Sequence, residues 1–352
     1  VMGREKSISF SVSGGNNDQY GFYNTCIRSA TLGQYVKDVY GFMFQNCTNL
    51  ESVVFEGPVT HFDYQAFCGC KKLAHVTPLL PPTVNSIGVE AFYGCPIEGS
   101  LSLGEGVASV GFGGNGGHWE GNTFRGSKIT EFIAGTGVTA IVGTMFNGVT
   151  TLTNVVFKGA LKSVGYNSFN GCTNLRRVTP LLPPSVNKLE YGSFRSCPIE
   201  GVLTLGVDSA VSYTGEGGHN ENYSFGGSHI TDFIAGTNLT SVPGSFFNTC
   251  STLTNVDLTA ATNLTSIGKY AFKGNTALKT MSFSNLKPSI GEEAFDGSIA
   301  DYKGRFLYPK KSASWSDYIA TLSFTPWADA SETATNTYWT NFPDGPEPRG
   351  VA

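Results

Sequence analysis

The residues best suited to chemistry are eight cysteines and five histidines, and their spacing decides what they can do. Two stretches place a histidine next but one to a glutamate, His118-Trp119-Glu120 and His219-Asn220-Glu221. Each pair supplies two metal ligands where a zinc site needs at least three from the protein, so no metal is assigned to either. Cys68 stands next but one to Cys70 with no second cysteine pair to complete a tetrahedral set, and it reads as a partly exposed free thiol. Gly111, Gly113 and Gly116 mimic a dinucleotide fingerprint, but no amphipathic helix follows and no acid stands at ribose spacing. A loop is expected there instead. Neither a Gly-x-Ser-x-Gly elbow nor a phosphate-binding loop occurs, and no carboxylate pair marks a glycosidase cleft. The chain is expected to have no enzymatic activity and no cofactor.

Composition narrows the partners. Charged residues make up 14% of the 352 residues, against about 25% in ordinary soluble domains, and 44 glycines imply frequent turns. With a net charge of −4 and no long cluster of Lys or Arg, nucleic acid is not an expected partner. No apolar run reaches the ~18 residues of a membrane span. The opening Val1-Met2-Gly3-Arg4-Glu5-Lys6 has a charge pair with no apolar segment behind it, so a signal or anchor is expected outside these residues. A monomer is expected in solution.

What positions the candidate residues is a repeat. An aromatic followed three residues later by Cys or another small or polar residue recurs as Tyr23/Cys26, Phe44/Cys47, Phe67/Cys70, Phe92/Cys95, Phe124/Ser127, Phe146/Val149, Phe169/Cys172, Phe194/Cys197, Phe225/Ser228, Phe247/Cys250, Phe272/Asn275 and Phe295/Ser298. Most spacings fall between 21 and 25 residues, with insertions of 32 before Phe124 and 31 before Phe225. Phe44 to Phe146 is 102 residues and Phe146 to Phe247 is 101, so a four-rung cassette (44–145, 146–246) is duplicated. Val76 to Val84 and Cys95 to Gly99 return almost unchanged as Val178 to Val186 and Cys197 to Gly201.

Within a rung, Leu50-x-x-Val53-x-Phe55 and Leu152-x-x-Val155-x-Phe157 alternate like a short strand. Apolar pairs such as Val84/Ile87 and Leu161/Val164 precede the next aromatic and should face the same core from another wall. One unit of ~23 residues cannot bury both walls alone, so stacked neighbours must share one core. Seven of the eight cysteines are expected in the small-residue column as buried free thiols, because Ser, Val and Asn replace Cys there without any paired loss. One or two disulfides remain an alternative. The proline runs 78–82 and 180–184 should rigidify outer turns.

These rungs resemble the BspA-type leucine-rich repeats, most clearly in Ala66-Phe67-Cys68-Gly69-Cys70, Ala91-Phe92-Tyr93-Gly94-Cys95 and Ser168-Phe169-Asn170-Gly171-Cys172. The resemblance implies a leucine-rich-repeat solenoid: a β-rich right-handed superhelix with a parallel sheet on one face, turns, short strands or 3₁₀ segments on the other, and few or no α-helices. It further implies a secreted or cell-surface protein with roles in adhesion and macromolecular binding. A cap over 1–20, a solenoid over 21–308 and a C-terminal cap and tail over 309–352 are expected. Trp327, Tyr338, Trp339 and Phe342 suggest that part of that tail folds back over the last rung.

Two surfaces are candidates for binding a protein or glycan. The first is the outward side of the strand face, with Val54, His75, Glu131, Ile133, Asn154, Val156, Arg177, Asp232, Ile234 and Asn255. The second is the pair of glycine-rich insertions, with His118, Trp119, Glu120 and Asn122 in one and Tyr213, His219, Asn220, Glu221 and Tyr223 in the other. A structural spacer or lattice component of a surface assembly is the alternative reading of the same rod.

Overall fold

The computed structural model describes residues 20–113, 121–215, 221–284, 288–295, 305–309, 327–329 and 336–340. Among them are strands and turns and no helix. The chain divides into two units, Val1–Pro183 and Pro184–Ala352, each built from the same three-walled rung.

In the first unit the broad wall carries two parallel sheets. Ser29–Leu32, Ser52–Phe55 and His75–Thr77 form one, and Glu98–Leu103, Lys128–Ala134, Asn154–Phe157 and Arg177–Thr179 form the other. The first ladder ends as Pro78 follows Thr77, since proline brings no N–H to continue the pairing. The narrow wall consists of two-residue parallel strands, Asp38–Val39, His61–Phe62, Ser86–Ile87 and Gly111–Phe112, then Ala140–Ile141 and Ser163–Val164.

In the second unit Glu200–Leu205, His229–Ala235, Asn255–Leu258, Thr280–Phe283 and Arg305–Pro309 pair in parallel along the broad wall. Asn336–Thr340 then runs antiparallel to Arg305–Pro309, and Trp327–Asp329 antiparallel to Asn336–Thr340. Its narrow wall holds Lys188–Leu189 with Ser212–Tyr213, then Ser241–Val242, Ser266–Ile267 and Ser289–Ile290.

The core follows the apolar pattern. Leu50, Val53 and Phe55 are buried from the broad wall, and Val84 and Ile87 from the narrow one. Between them the phenylalanines stack as a column: Phe44–Phe67 at 4.9 Å, Phe67–Phe92 at 5.3 Å and Phe92–Phe124 at 5.6 Å, with interplanar angles of 1°, 9° and 12°. In the second unit Phe194–Phe225 and Phe247–Phe272 repeat the arrangement at 5.6 and 5.4 Å. Strand pairing at about 4.8 Å imposes this ring spacing, and offset stacking tolerates it.

The column corrects the first anchor. Phe22, not Tyr23, stacks on Phe44 at 5.2 Å, and Tyr23 is exposed. Thr25 therefore occupies the small-residue position, where its hydroxyl donates to Phe22 O at 2.7 Å, and Cys26 lies outside the column, exposed. Six cysteines, Cys47, Cys70, Cys95, Cys172, Cys197 and Cys250, are the buried ones, and all eight are free thiols. Their S–H groups have a use: Cys70, Cys95, Cys172 and Cys250 donate to the carbonyls of Phe44, Phe67, Phe146 and Phe225 at 2.8–3.1 Å. Burial raises the Cys250 thiol to about 12, so it stays protonated and remains a donor.

The third wall holds together without strands. Left-handed residues stand two before and two after the phenylalanine, as in Gln65 and Gly69 (φ 52° and 75°) around Phe67. The N–H groups of Gln65, Phe67 and Gly69 bond to Val89 O, Ala91 O and Tyr93 O of the next rung, while Ala66, Cys68 and Cys70 close turns within their own. Every second amide thus links rungs, which satisfies the backbone of a wall that sequence patterns read only as turns.

Candidate binding face

The broad wall aligns outward side chains into rows because parallel pairing fixes one register. Ser100, Glu131, Asn154 and Arg177 are neighbours in one row, and Ser102, Ile133, Val156 and Thr179 in the next. Asn154 Nδ2 donates to Glu131 Oε1 at 2.6 Å and Ser100 Oγ to Glu131 Oε2 at 2.7 Å, and these bonds hold the Glu131 carboxyl below its ordinary range. Arg177 closes the row with an exposed cation. Toward the start of the unit Val54 is exposed in register with Thr77, and His75 is exposed beside Ser52. In the second unit Asp232 pairs with Asn255 and Ile234 with Asp257, so the acid–amide neighbours recur. The sequence-derived face residues therefore do share one wall of each unit and point away from its core.

The insertions are different. His118, Trp119, Glu120, His219 and Asn220 lie outside the described residues. Asn122, Tyr213, Glu221 and Tyr223 are described, and they belong to the frame on which the insertions stand. Asn122 is a left-handed residue two positions before Phe124, its N–H held by Thr144 Oγ1 at 3.1 Å and its amide by Glu90 Oε1 at 3.4 Å. Tyr223 holds the same place before Phe225, with Tyr191 edge-on at 5.8 Å and the Arg195 guanidinium 4.8 Å above its ring. Glu221 forms a backbone bridge with Gly244.

Tyr213 corrects the expectation of an exposed contact. The residue is half-buried, its hydroxyl is buried without a hydrogen-bond partner among the described residues, and its ring meets Phe246 edge-on at 5.5 Å. Desolvation raises the phenol well above its usual range. Tyr213 holds the second place of its narrow-wall strand, the place that Val39, Phe62, Ile87, Ile141 and Val242 fill with buried side chains in other rungs.

Sequence reasoning passed over Asn222, which is buried and clamps the second insertion. Its Nδ2 donates to Leu189 O at 3.2 Å and Thr214 O at 3.0 Å, and its Oδ1 accepts from the Ser224 N–H at 3.1 Å. It also passed over Thr153, Asn174 and Arg176, which with Asn154 and Arg177 line a depression of about 350 Å³ at the rim of the broad wall. Adjacent Arg176 and Arg177 at a strand start were the available signal.

A family model for the BspA type leucine-rich repeat region, in six copies, matches residues 5–113, 117–206 and 219–301. No match is found among curated protein sequences. Among solved structures, a leucine-rich repeat protein from Bacteroides ovatus is 23% identical, with a TM-score of 0.47 over 78% of this chain and 77% of that one. A leucine rich cell surface protein from Faecalibacterium prausnitzii is 21% identical, with a TM-score of 0.42 over 90% of each chain. A pneumococcal vaccine antigen is 14% identical, with a TM-score of 0.38 over 85% of this chain and 78% of its own. With the repeat matched over most of its length, this chain belongs to the BspA-type leucine-rich repeat family.

Proposed function

We propose that the chain is a non-enzymatic binding protein, exported and displayed at a cell surface, that takes up a macromolecular partner on its broad walls and on the two insertions. The observation that carries this reading is the open face of the parallel sheets. All-parallel sheets are ordinarily covered on both sides. Here the inward side chains complete the core, while Val54 lies exposed in register with Thr77, Ile133 and Val156 run beside the row of Glu131, Asn154 and Arg177, and in the second unit Ile234 lies exposed in register with Asp257. Such mixed rows, spaced at a strand's width, suit an extended protein or glycan better than a small molecule.

The test is binding of the purified chain to arrays of glycans and of surface proteins, alongside light scattering. Saturable binding by monodisperse protein, weakened at least tenfold when Val54, Ile133, Val156 and Ile234 are together replaced by Ser, supports the reading. Shortening both insertions should weaken it further. Self-polymerisation without capture of any ligand would overturn it in favour of a structural spacer.

A further inference from the structure

The third wall of the first unit carries aromatic side chains that the core does not use. Tyr20 and Phe42 each stand two residues before a core phenylalanine, and their rings stack 5.0 Å apart with 1° between their planes. At that centroid spacing parallel rings are offset, so neither covers the other. Tyr23 meets Tyr20 edge-on at 5.4 Å, and Tyr64 meets Phe42 edge-on at 5.3 Å. Tyr20, Tyr23 and Tyr64 are 57%, 38% and 42% exposed, and Phe42 is half-buried. Phe42 stands at φ 58°, in a left-handed place that the next rungs fill with Gln65, Glu90 and Asn122. Left-handed geometry does not favour bulky side chains, so the turn itself does not call for a ring there.

The second unit shows what covers rings at this place. Tyr223 and Tyr270 stand two residues before their core phenylalanines, left-handed at φ 52° and 59°. The Arg195 guanidinium lies 4.8 Å above the Tyr223 ring, and the ammonium groups of Lys269 and Lys273 lie 4.6 and 4.5 Å from that of Tyr270. Arg195 and Lys273 each directly follow a core phenylalanine, Phe194 and Phe272. Around Phe42 those places hold Tyr23 and Gln45, and the Gln45 amide donates to Gln65 Oε1 at 2.5 Å. The third-wall segments 20–26, 40–47, 63–70 and 88–95 contain no lysine or arginine, and their charged residues are Asp63 and Glu90. Glu90 accepts from the neutral amides of Gln65 and Asn122 at 2.6 and 3.4 Å, which leaves its charge in place. In these segments the rings and acids are kept and the cations are missing.

We infer that this aromatic face takes arginine or lysine side chains of a partner protein. It lies on a different wall from the proposed binding rows, so the inference goes beyond that reading. A ring attracts a cation through the negative potential over its face, and the chain already uses this attraction at Tyr223 and Tyr270. Guanidinium is planar and weakly hydrated, and it stacks on rings more readily than ammonium does. The chain's net charge of −4 favours approach of a basic segment. Each ring contributes little alone, but several on one face act together on a segment with more than one cation.

The probe is a synthetic peptide of four Gly-Ser-Arg repeats, titrated calorimetrically against the full chain beside its lysine and citrulline analogues and maltohexaose. The arginine and lysine peptides are expected to bind, and the citrulline peptide, similar in shape but uncharged, at least tenfold more weakly. Tyr20→Gln, Tyr23→Gln and Phe42→Gln bring in the side chain that Gln65 and Gln45 already carry at these places. Combined, they should weaken the arginine peptide at least tenfold while the chain melts as the parent does. A second variant removes no ring: Gln45→Lys puts a cation where Lys273 has one, and it should cover Phe42 and weaken the peptide at least fivefold. Asn147→Lys adds the same charge at the corresponding place four rungs on and should leave binding nearly unchanged. Full binding by the triple variant would overturn the site, and equal effects of the two lysine variants would overturn the role of the rings. Binding of maltohexaose but of neither cationic peptide would overturn the cation in favour of a glycan. Binding of none of these probes would overturn the inference while leaving the reading of the broad walls untouched.

Discussion

The two insertions stand on copies of one rung, yet their bases are built differently. In the first unit Gly121 lies three residues before Phe124, where a Cβ would come within 2.0 Å of Gly143 O. In the second, Asn222 lies three before Phe225 and fills the place with a buried amide that ties together Leu189, Thr214 and Ser224. Phe112 on one narrow wall answers to Tyr213 on the other. The similar loop text, His118-Trp-Glu-Gly-Asn122 and His219-Asn-Glu-Asn222, invites pairing Asn122 with Asn222, but the fold sets Asn122 level with Tyr223, both left-handed. Register in a solenoid is set by the buried phenylalanine, and loop similarity does not override it.

The largest test of that rule removes the anchors. Phe124→Ala and Phe225→Ala should each lower stability by about 3–5 kcal/mol, since stacked neighbours on either side cannot collapse into the hole. Phe225 also meets Phe246 edge-on at 5.2 Å, so its loss should exceed that of Phe124 by about 0.5–1.5 kcal/mol. Urea midpoints measure both, and a cost under about 1 kcal/mol for either would break the alignment of the two rungs.

The bases themselves should fail for opposite reasons. Gly121→Ala is expected to cost about 1–3 kcal/mol by overpacking against the Gly143 carbonyl. Asn222→Ala is expected to cost about 1–3 kcal/mol by leaving buried carbonyls and the Ser224 amide without their partner. If Asn222→Ala melted unchanged while Gly121→Ala did not, the clamp would be dispensable and the difference between the bases merely one of space.

Tyr213→Phe makes the second base like the first at this position. Its buried hydroxyl has no partner among the described residues, so removal should raise the thermal midpoint, with a gain of up to about 1 kcal/mol. A loss instead would show that the insertion holds the hydroxyl.

The smallest effect compares narrow-wall strands within the first unit, where His61 in one copy stands where Ser163 stands in the next. The Asp63 carboxylate, 3.9 Å from Nε2, raises the imidazole pKa, with burial opposing and Asp38 adding a little. Because the folded value lies above the unfolded 6.5, the contribution is complete below pH 6.5 and fades as pH rises through the folded pKa. Asp63→Asn should erase this pH dependence of the melting temperature, and Ser163→Ala should show none.

Much of the fold was legible because burial repeats. Leu50, Val53 and Phe55, the pairs Val84/Ile87 and Leu161/Val164, and the column from Phe44 onward are all internal, as their periodicity requires. Periodicity failed where it had no preceding copy to set its phase: at the first rung Tyr23 and Phe22 serve the pattern nearly equally, and only the stack on Phe44 selects Phe22. The strand-face residues could be placed from alternation alone, since a period of two leaves the intervening positions outward.

Hydrogen bonding between rungs was beyond reach of the sequence. Nothing in a pattern of turn residues shows that Gln65 and Glu90 adopt left-handed geometry so that alternate amides link neighbouring rungs. Nor does composition show that Cys70 and Cys95, three places after Phe67 and Phe92, donate to the carbonyls of Phe44 and Phe67 one rung back. The amino-acid order determines which residues must be buried, because hydrophobic burial depends on side-chain type and period. Which buried polar group meets which partner depends on contacts that can lie more than twenty residues apart, as between Asn222 and Leu189, and so only the stacked structure decided the clamp at Asn222 and the burial of the Tyr213 hydroxyl.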